Sequence, residues 1–120
     1  DIPPLTQSLE EIIGDFANHI FLKVVEEGVI IGSIRGYEDS GTCYIGRVIV
    51  ADDYQNRGIG TQLLDLMEKE FKNAKRYELF TGKKSVRNLY LYRKLGYEEF
   101  KEVELNDKTT LVFLEKINES

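Results

Sequence analysis

The apolar positions of the chain repeat with more than one period, and the changes of period predict where its helices and strands lie. Residues 8–11 read Ser-Leu-Glu-Glu, which is a capping-box pattern, and the apolar residues that follow recur at helical spacing. We therefore predict a first, amphipathic helix over residues 9–18, with Ser8 as its N-cap. Residues 20–36 instead form two apolar runs joined at Glu27-Gly28, which predicts two strands connected by a tight hairpin turn.

The second half of the chain alternates between strand and helix patterns. A third strand, rich in β-branched residues towards its end, is predicted over 43–51, and a fourth over 76–82. Between them the apolar residues recur every four positions, which predicts a helix that begins after Gly58. Its stripe consists of Ile59, Leu63, Met67 and Phe71, widened by Leu64 and Leu66. Ser85 is the predicted N-cap of another helix, which Gly96 ends.

The chain closes with two predicted strands, about 97–105 and 109–117, that turn at Asn106-Asp107. The order is thus helix, three strands, helix, strand, helix and two strands. This order predicts an α/β fold with a mixed sheet (α+β in character), and 120 residues are enough for one domain over 1–120.

Composition narrows the classes of protein. A hydrophobic content of 42% and a charged content of 31% are typical of a globular protein and argue against disorder. No apolar run approaches the ~20 residues that span a bilayer, and a single cysteine favours a reducing compartment, so we expect a cytoplasmic protein without membrane contact. A net charge of −5 argues against nucleic acid as the partner and fits a cationic substrate such as an amine. One cysteine and one histidine argue against a metal site.

The junction Gly58-Ile59-Gly60 lies where a strand is followed by a helix. The first amides of a helix have no helical acceptor and carry partial positive charge, and glycines let an anion approach them. Glycines at this position could equally serve only a tight turn, so both interpretations stay open. A Walker-type loop is excluded because Thr61 and Gln62 follow, and Leu63, which stands where the last glycine of a dinucleotide fingerprint belongs, argues against that motif.

A different pattern does fit. Gln55-Asn56-Arg57-Gly58-Ile59-Gly60 has the form Gln-x-x-Gly-x-Gly after a strand, and Asn-Leu-Tyr-Leu-Tyr-Arg-Lys-Leu-Gly-Tyr-Glu-Glu-Phe follows about 35 residues later. With both motifs, and with matching elements from Ser8 to Ile117, the chain resembles the GNAT superfamily of acetyl-CoA-dependent N-acetyltransferases. The resemblance implies a GNAT-like fold, a central twisted mixed sheet flanked by helices and splayed into a V at the acetyl-CoA site.

The resemblance also implies a set of cofactor-binding residues. The pyrophosphate of acetyl-CoA would lie on the amides of residues 56–61, and the strand 48–50 would leave its neighbour at a bulge and pair with the pantetheine arm. The backbone amide of Val48 or Ile49 would stabilise the oxyanion. The full set is Val48, Ile49, Val50, Gln55, Asn56, Arg57, Gly58, Ile59, Gly60, Thr61, Ser85 and Asn88.

Tyr92 matches the tyrosine that members of the superfamily use as general acid at the leaving thiolate. The alternative is that Tyr92 only packs, as we expect of Tyr90 and Tyr97. A phenol with a pKa of ~10 is a weaker acid than a thiol with a pKa of ~8.5, so a hydrogen bond to the developing thiolate describes the role better than full proton donation.

No general base is evident. Tyr44 occupies the position where some members of the superfamily carry a glutamate. Other acids could relay a proton through water or could simply be solvated, and we expect His19 to be solvated or structural and Cys43 to be a small buried apolar residue. These acids are Glu26, Glu38 and Asp39.

Two features depart from the superfamily pattern. Ser85 stands where an asparagine usually contacts pantetheine, with Asn88 one turn further on as a substitute. We also expect the strand and helix that normally come first to be short, missing or supplied differently. The expected function is acetyl transfer from acetyl-CoA to a primary amine, small or peptide-borne, by direct attack in a ternary complex, with homodimer formation left open. The alternative is a non-catalytic CoA-binding regulatory or interaction domain of the same fold.

Overall fold

The computed structural model describes the backbone of residues 8–13 and residues 19–55 and 57–119. This part of the chain forms a seven-stranded sheet with two α-helices and a short 3-10 turn at Asp52–Tyr54. The elements are β1 (Ser8–Ile13), β2 (His19–Glu26), β3 (Val29–Asp39), β4 (Thr42–Val50), α1 (Ile59–Glu70), β5 (Arg76–Gly82), α2 (Val86–Lys94), β6 (Glu98–Asn106) and β7 (Thr109–Ile117). The order of strands in the sheet is β1-β2-β3-β4-β5-β7-β6. The predicted mixed sheet flanked by helices is therefore confirmed.

The first element is a strand, so the helix predicted over residues 9–18 is wrong where the structure describes it. β1 pairs antiparallel with β2 along its whole length, from Ser8 opposite Val25 to Ile13 opposite Ile20. The capping box is a local signal, whereas the edge of β2 offers a full ladder of hydrogen bonds to any segment that can extend beside it, and this tertiary partner prevails. The remainder of that prediction, residues 14–18, lies outside the described residues.

The other predicted elements are confirmed. β2 and β3 turn at Glu27-Gly28, where both residues have positive φ, as a two-residue hairpin turn requires. α1 buries the predicted stripe. α2 ends before Gly96, whose φ is +100°. β6 and β7 form the closing hairpin, with β7 paired to β5.

Both helices lie against the same face of the sheet. In β5, Tyr77 donates a hydrogen bond to the carbonyl of Phe71 just after α1 (3.0 Å), and Thr81 accepts one from Asn88 of α2 (3.3 Å). Since side chains alternate along a strand, Tyr77 and Thr81 point to this helix-bearing face and Glu78 points to the other. No helix of the described part of the chain covers that second face, which we call the open face.

The sheet divides between β4 and β5. These parallel strands pair only over 42–44 and 76–78, and β4 carries a bulge between Gly46 and Ile49, opposite Ile34 of β3. At the closed end, Arg76 holds three strands together through Thr42 (3.2 Å), Glu78 (3.0 Å) and Glu115 (2.8 Å). The predicted V-shaped opening between the ends of β4 and β5 is confirmed.

Candidate functional site

A cleft of about 830 Å³ lies between the end of β4, the start of α1 and the start of α2. Most of the residues predicted from the resemblance line it, namely Val48, Ile49, Val50, Gln55, Gly58, Ile59, Gly60, Thr61, Ser85 and Asn88. Asn56 lies outside the described residues. Arg57 is not part of the lining. Its guanidinium lies 5.3 Å from the ring centre of Tyr54, and Tyr54 does line the cleft.

The start of α1 presents bare backbone amides to this cleft. The first helical hydrogen bond runs from the amide of Gln62 to the carbonyl of Gly58 (3.0 Å), so the amides of residues 59–61 have no helical acceptor. Gly58 provides no side chain to cap them. A Cβ added at Gly60 would lie 3.3 Å from Leu91 of α2, so a glycine keeps this end of the helix open. Three amides at a helix start form a typical anion site.

The start of α2 presents side chains instead. Lys84, Arg87 and Lys94 line the cleft on this side, and Arg87 donates a hydrogen bond to the side-chain oxygen of Gln55 across it. Ser85 occupies the predicted N-cap position but makes no side-chain capping bond, so its hydroxyl is available to the cleft. Cations therefore line the same cleft as the amides of α1, although the protein as a whole is acidic.

The backbone N–H and C=O groups of β4 face β3 at some residues and the cleft at others. The amide of Ala51 donates to Ile31 of β3 (2.9 Å). In an antiparallel ladder, hydrogen-bonded and non-hydrogen-bonded pairs alternate, so the backbone groups of Ile49 face β3 and those of Val50 face the cleft. The carbonyl of Val50 accepts a hydrogen bond from Gln55 there (3.2 Å). Of the two amides predicted as oxyanion donors, Ile49 is directed to β3, and Val48 lies in the bulge.

Tyr92 lies behind the cleft lining, on the inner side of α2. It is 4% exposed, and its ring centre is 6.2 Å from that of Tyr97. Burial raises the pKa of Tyr92 to about 12, and its hydroxyl makes no hydrogen bond within the described part of the chain. Tyr90 was expected to pack, but it is 67% exposed and lines the cleft, because it projects from the outer side of α2.

The other residues considered for a catalytic role lie in the core, in a row of stacked rings or at an exposed strand end. Cys43 is fully buried and burial raises the pKa of its thiol to about 12, which confirms it as a small apolar core residue. His19 stacks on Tyr37, with ring centres 4.7 Å apart and planes 6° from parallel. Tyr44 is the next ring in that row. Asp39 is exposed at the end of β3.

A second pocket, of about 340 Å³, lies on the open face where β4 and β5 separate. Sequence analysis missed it. Its side chains come from four strands, and they include Arg35, Tyr37, Tyr44, Glu78, Phe80 and Phe113. The available signal was the alternation of large polar or aromatic residues with buried ones in β3 and β5. That pattern alone does not reveal which face a helix covers.

Comparisons with known proteins agree with this architecture. The family model described as "Acetyltransferase (GNAT) family" matches residues 2–97. An uncharacterized protein of Bacillus subtilis, YdhI, is 36% identical over 80 residues, which are 65% of this chain and 49% of that protein, so the match spans about half of its length.

Solved structures show the same fold. An IAA acetyltransferase from Bacillus cereus has a TM-score of 0.76 at 20% identity, with 93% of this chain and 99% of that one covered. A GNAT family acetyltransferase from Elizabethkingia anophelis, solved with acetyl-CoA bound, has a TM-score of 0.70 at 26% identity, with 83% and 76% covered.

The chain belongs to the GNAT acetyltransferase family. The splayed sheet and the open helix start described above are features of a fold that this chain shares with solved acetyltransferase structures. Neither helix in the described part of the chain is long and apolar enough to cross a membrane.

Proposed function

We propose that this protein is an N-acetyltransferase that moves an acetyl group from acetyl-CoA to a primary amine in a ternary complex. The observation that carries the proposal is the set of three amides without a helical acceptor, residues 59–61, at the mouth of a cleft where two parallel strands have separated. An enzyme that holds a pyrophosphate and an extended arm needs both features. The acetyl-CoA bound to the Elizabethkingia relative supports the same ligand here.

The phosphates would be held from two sides. The amides of Ile59, Gly60 and Thr61 would donate to the pyrophosphate, with the α1 dipole adding favourable potential. Lys84 and Arg87 reach the cleft from α2 and would balance the remaining negative charge. The pantetheine arm would run along β4, where the backbone groups of Val50 face the cleft. Gln55 already occupies the carbonyl of Val50, so the arm would share or replace that hydrogen bond.

The reaction requires a neutral amine nitrogen. The nitrogen attacks the thioester carbon, the carbon–sulfur bond breaks, and the proton lost by nitrogen balances the one gained by the CoA thiolate. An amine of pKa ~10.4 costs about 4–5 kcal/mol to keep neutral at pH 7, so the site must lower that pKa by desolvation or supply a base. The backbone amide of Val48, in the bulge, is the proposed oxyanion donor, for which a contribution of ~3 kcal/mol is typical.

Tyr92 is the proposed partner of the leaving thiolate. With its pKa at about 12, proton transfer to a thiolate of pKa ~8.5 would be uphill by about 5 kcal/mol. We therefore propose that the Tyr92 hydroxyl donates a hydrogen bond to the developing thiolate and that water protonates the thiolate. This role requires the Tyr92 hydroxyl, which lies on the inner side of α2, to reach the cleft. No hydrogen bond to a described residue would have to be broken for it to do so.

Two observations favour the second candidate function, a non-catalytic CoA-binding domain. Tyr92 is buried behind the lining, and the cleft side of β4 carries no carboxylate in the part of the chain that the structure describes. Such a domain would bind acetyl-CoA stoichiometrically and would not turn it over.

The two functions differ in one experiment. Acetyl-CoA binding is measured by calorimetry, and thiol release from acetyl-CoA is followed in parallel over a panel of primary amines. Binding with amine-dependent thiol release supports the enzyme. Binding without release for every amine supports the non-catalytic domain, and failure to bind acetyl-CoA contradicts both.

A further inference from the structure

The pocket on the open face adjoins the cleft through a single strand. Tyr44, Ile45 and Gly46 of β4 line the pocket, and Val48 to Val50 of the same strand line the cleft. The last pair between β4 and β5 is Tyr44 with Glu78, so the pocket begins where the sheet opens. A molecule in the pocket would therefore approach the opening from the side opposite to the helices.

Arg35 is the cation of this pocket. It is exposed, and it makes no hydrogen bond or ion pair with any residue that the structure describes. Arg76 is different, since Glu78 and Glu115 hold it at the closed end of the opening. A Cβ added at Gly46 would lie 3.4 Å from Nε of Arg35, so the missing side chain at Gly46 leaves the guanidinium room above β4. An unpaired guanidinium beside an open pocket fits a carboxylate.

Glu78 supplies the opposite charge. Arg76 pairs with its Oε1 (3.0 Å), and no described residue forms a hydrogen bond or ion pair with Oε2. Arg35 pairs with Gly46, two residues from the Tyr44–Glu78 pair. Arg35 in β3 and Glu78 in β5 are thus separated by two strand spacings across the sheet and by two residues along the strand direction. This offset places their Cα atoms about 12 Å apart. Both side chains are long and line the same pocket, so a short zwitterion can bridge the gap between their charged groups.

Aromatic rings line the same pocket as the two charges. Tyr37 stacks on Tyr44 with ring centres 5.2 Å apart, and Phe80 lies against Phe113 at the same distance. A volume of about 340 Å³ is at the lower end of the range for ligand sites, which selects a small molecule.

We propose, building on the proposed acetyl transfer, that the acceptor is a small primary amine that also carries a carboxylate, with Arg35 binding the carboxylate and Glu78 orienting the amine by accepting a hydrogen bond from it. The rings of Tyr37, Tyr44 and Phe80 surround its body. Specificity thus depends on the pairing of Arg35 with a carboxylate, which a carboxyl-free amine cannot form.

Matched acceptors test this proposal. Tyrosine is compared with tyramine, and 4-aminobutyrate with butylamine, by thiol release from saturating acetyl-CoA. The member with the carboxylate should have a kcat/KM at least tenfold higher in at least one pair. Arg35→Gln should remove that preference through KM while leaving the carboxyl-free amine unchanged. Equal rates within both pairs, or a preference that survives in Arg35→Gln, would overturn the proposal.

Two controls separate this proposal from the proposed function. Lys69→Gln removes the same charge from the exposed end of α1, where Lys69 pairs with Asp65, and should keep the preference. If acetyl-CoA binds but no amine reacts, ligand-observed NMR on the CoA complex still tests the pocket. Binding of 4-aminobutyrate that Arg35→Gln abolishes supports the pocket, and no binding overturns it. Loss of acetyl-CoA binding itself would reject the proposed function instead.

Discussion

The starts of α1 and α2 border the same cleft, yet they offer a ligand different chemistry. At α1 the donors are the backbone amides of residues 59–61, made accessible by Gly58 and Gly60. At α2 they are the long side chains of Lys84 and Arg87. Neither helix start has a side-chain capping bond. The same structural position thus carries a fixed binding surface in one helix and a flexible one in the other.

This difference has consequences for substitution. Backbone donors cannot move, so a ligand must approach them closely, and any added side chain at the glycines interferes. Lysine and arginine side chains adapt to a ligand, and their charges are screened by salt. We therefore expect α1 to be sensitive to small changes of shape and the start of α2 to be sensitive mainly to charge and ionic strength.

The largest effect is expected further along α2, at Tyr92. Tyr92→Phe keeps the ring and removes the hydroxyl. A hydrogen bond to developing charge is worth roughly 1.5–3 kcal/mol, which corresponds to a fall in kcat of about ten- to two-hundredfold. Acetyl-CoA affinity and melting temperature should change little, because the hydroxyl has no hydrogen-bond partner in the described structure. Steady-state kinetics and a melting curve on one preparation check both points, and normal turnover would assign Tyr92 to packing.

The next effect is expected at the start of α1. Gly60→Val should weaken acetyl-CoA binding at least tenfold, a loss of about 1.4 kcal/mol, because the new side chain occupies the space in front of the amides. Its Cβ would also lie 3.3 Å from Leu91, so some stability is lost with it. Calorimetry on the folded variant measures the affinity, and an unchanged value would remove the basis of the proposed anion site.

Gly58 allows strain and ligand contact to be separated. Gly58 and Gly28 have nearly the same φ, +80° and +81°, and a Cβ at either would meet nothing within 4 Å. Alanine at each position should cost a similar ~1–2 kcal/mol of stability through backbone strain. Gly28 lies in the β2–β3 turn, so only Gly58→Ala should also weaken acetyl-CoA binding. Equal affinities in the two variants would restrict Gly58 to a turn-forming role.

The same contrast explains what could be predicted from the sequence. The stripe of α1, the turn at Glu27-Gly28 and the stop at Gly96 depend on neighbours close in the chain, so their patterns are visible in a single sequence. β1 depends on β2, with which Ser8 pairs seventeen residues away, and the local capping box gave the wrong element. The predicted cleft residues were found through motifs rather than through composition or period.

The pocket on the open face could not be predicted for a related reason. Arg35, Glu78 and Phe113 come from strands that become neighbours only in the finished sheet, through a parallel pairing of β4 with β5 and an antiparallel one of β5 with β7. Their alternation with buried residues shows that they share a face. Whether helices cover that face is decided by the connections, which a pattern of residues does not specify.

A smaller effect is expected for charge at the start of α2, where the chain contains a matched pair. Lys84 lines the cleft, whereas its neighbour Lys83 pairs with Glu102 of β6 at 3.2 Å. Lys84→Gln should weaken acetyl-CoA binding roughly two- to fivefold, corresponding to about 0.4–1 kcal/mol for an exposed charge. The effect should shrink as salt is added, and Lys83→Gln should leave affinity unchanged. Titrations at low and high ionic strength check this, and equal effects of both variants would reject a direct contact.

The smallest expected effect concerns pH: the contribution of the Tyr92 hydroxyl to kcat should not change between pH 7 and pH 10. Burial raises the pKa of Tyr92 to about 12, so the phenol stays a neutral hydrogen-bond donor far above pH 10. A raised pKa means that the stability contributed by burying the neutral form is complete below the usual value of ~10 and is lost only as the pH rises through about 12.

The ratio of wild-type kcat to that of Tyr92→Phe should therefore stay constant from pH 7 to pH 10. Taking the ratio cancels the titration of the amine, which both proteins share. A solvent-exposed phenol of pKa ~10 would be half ionised at the upper limit, and the ratio would then fall by about half. Such a fall would show that the hydroxyl is more exposed to solvent in the working enzyme than on the buried inner side of α2.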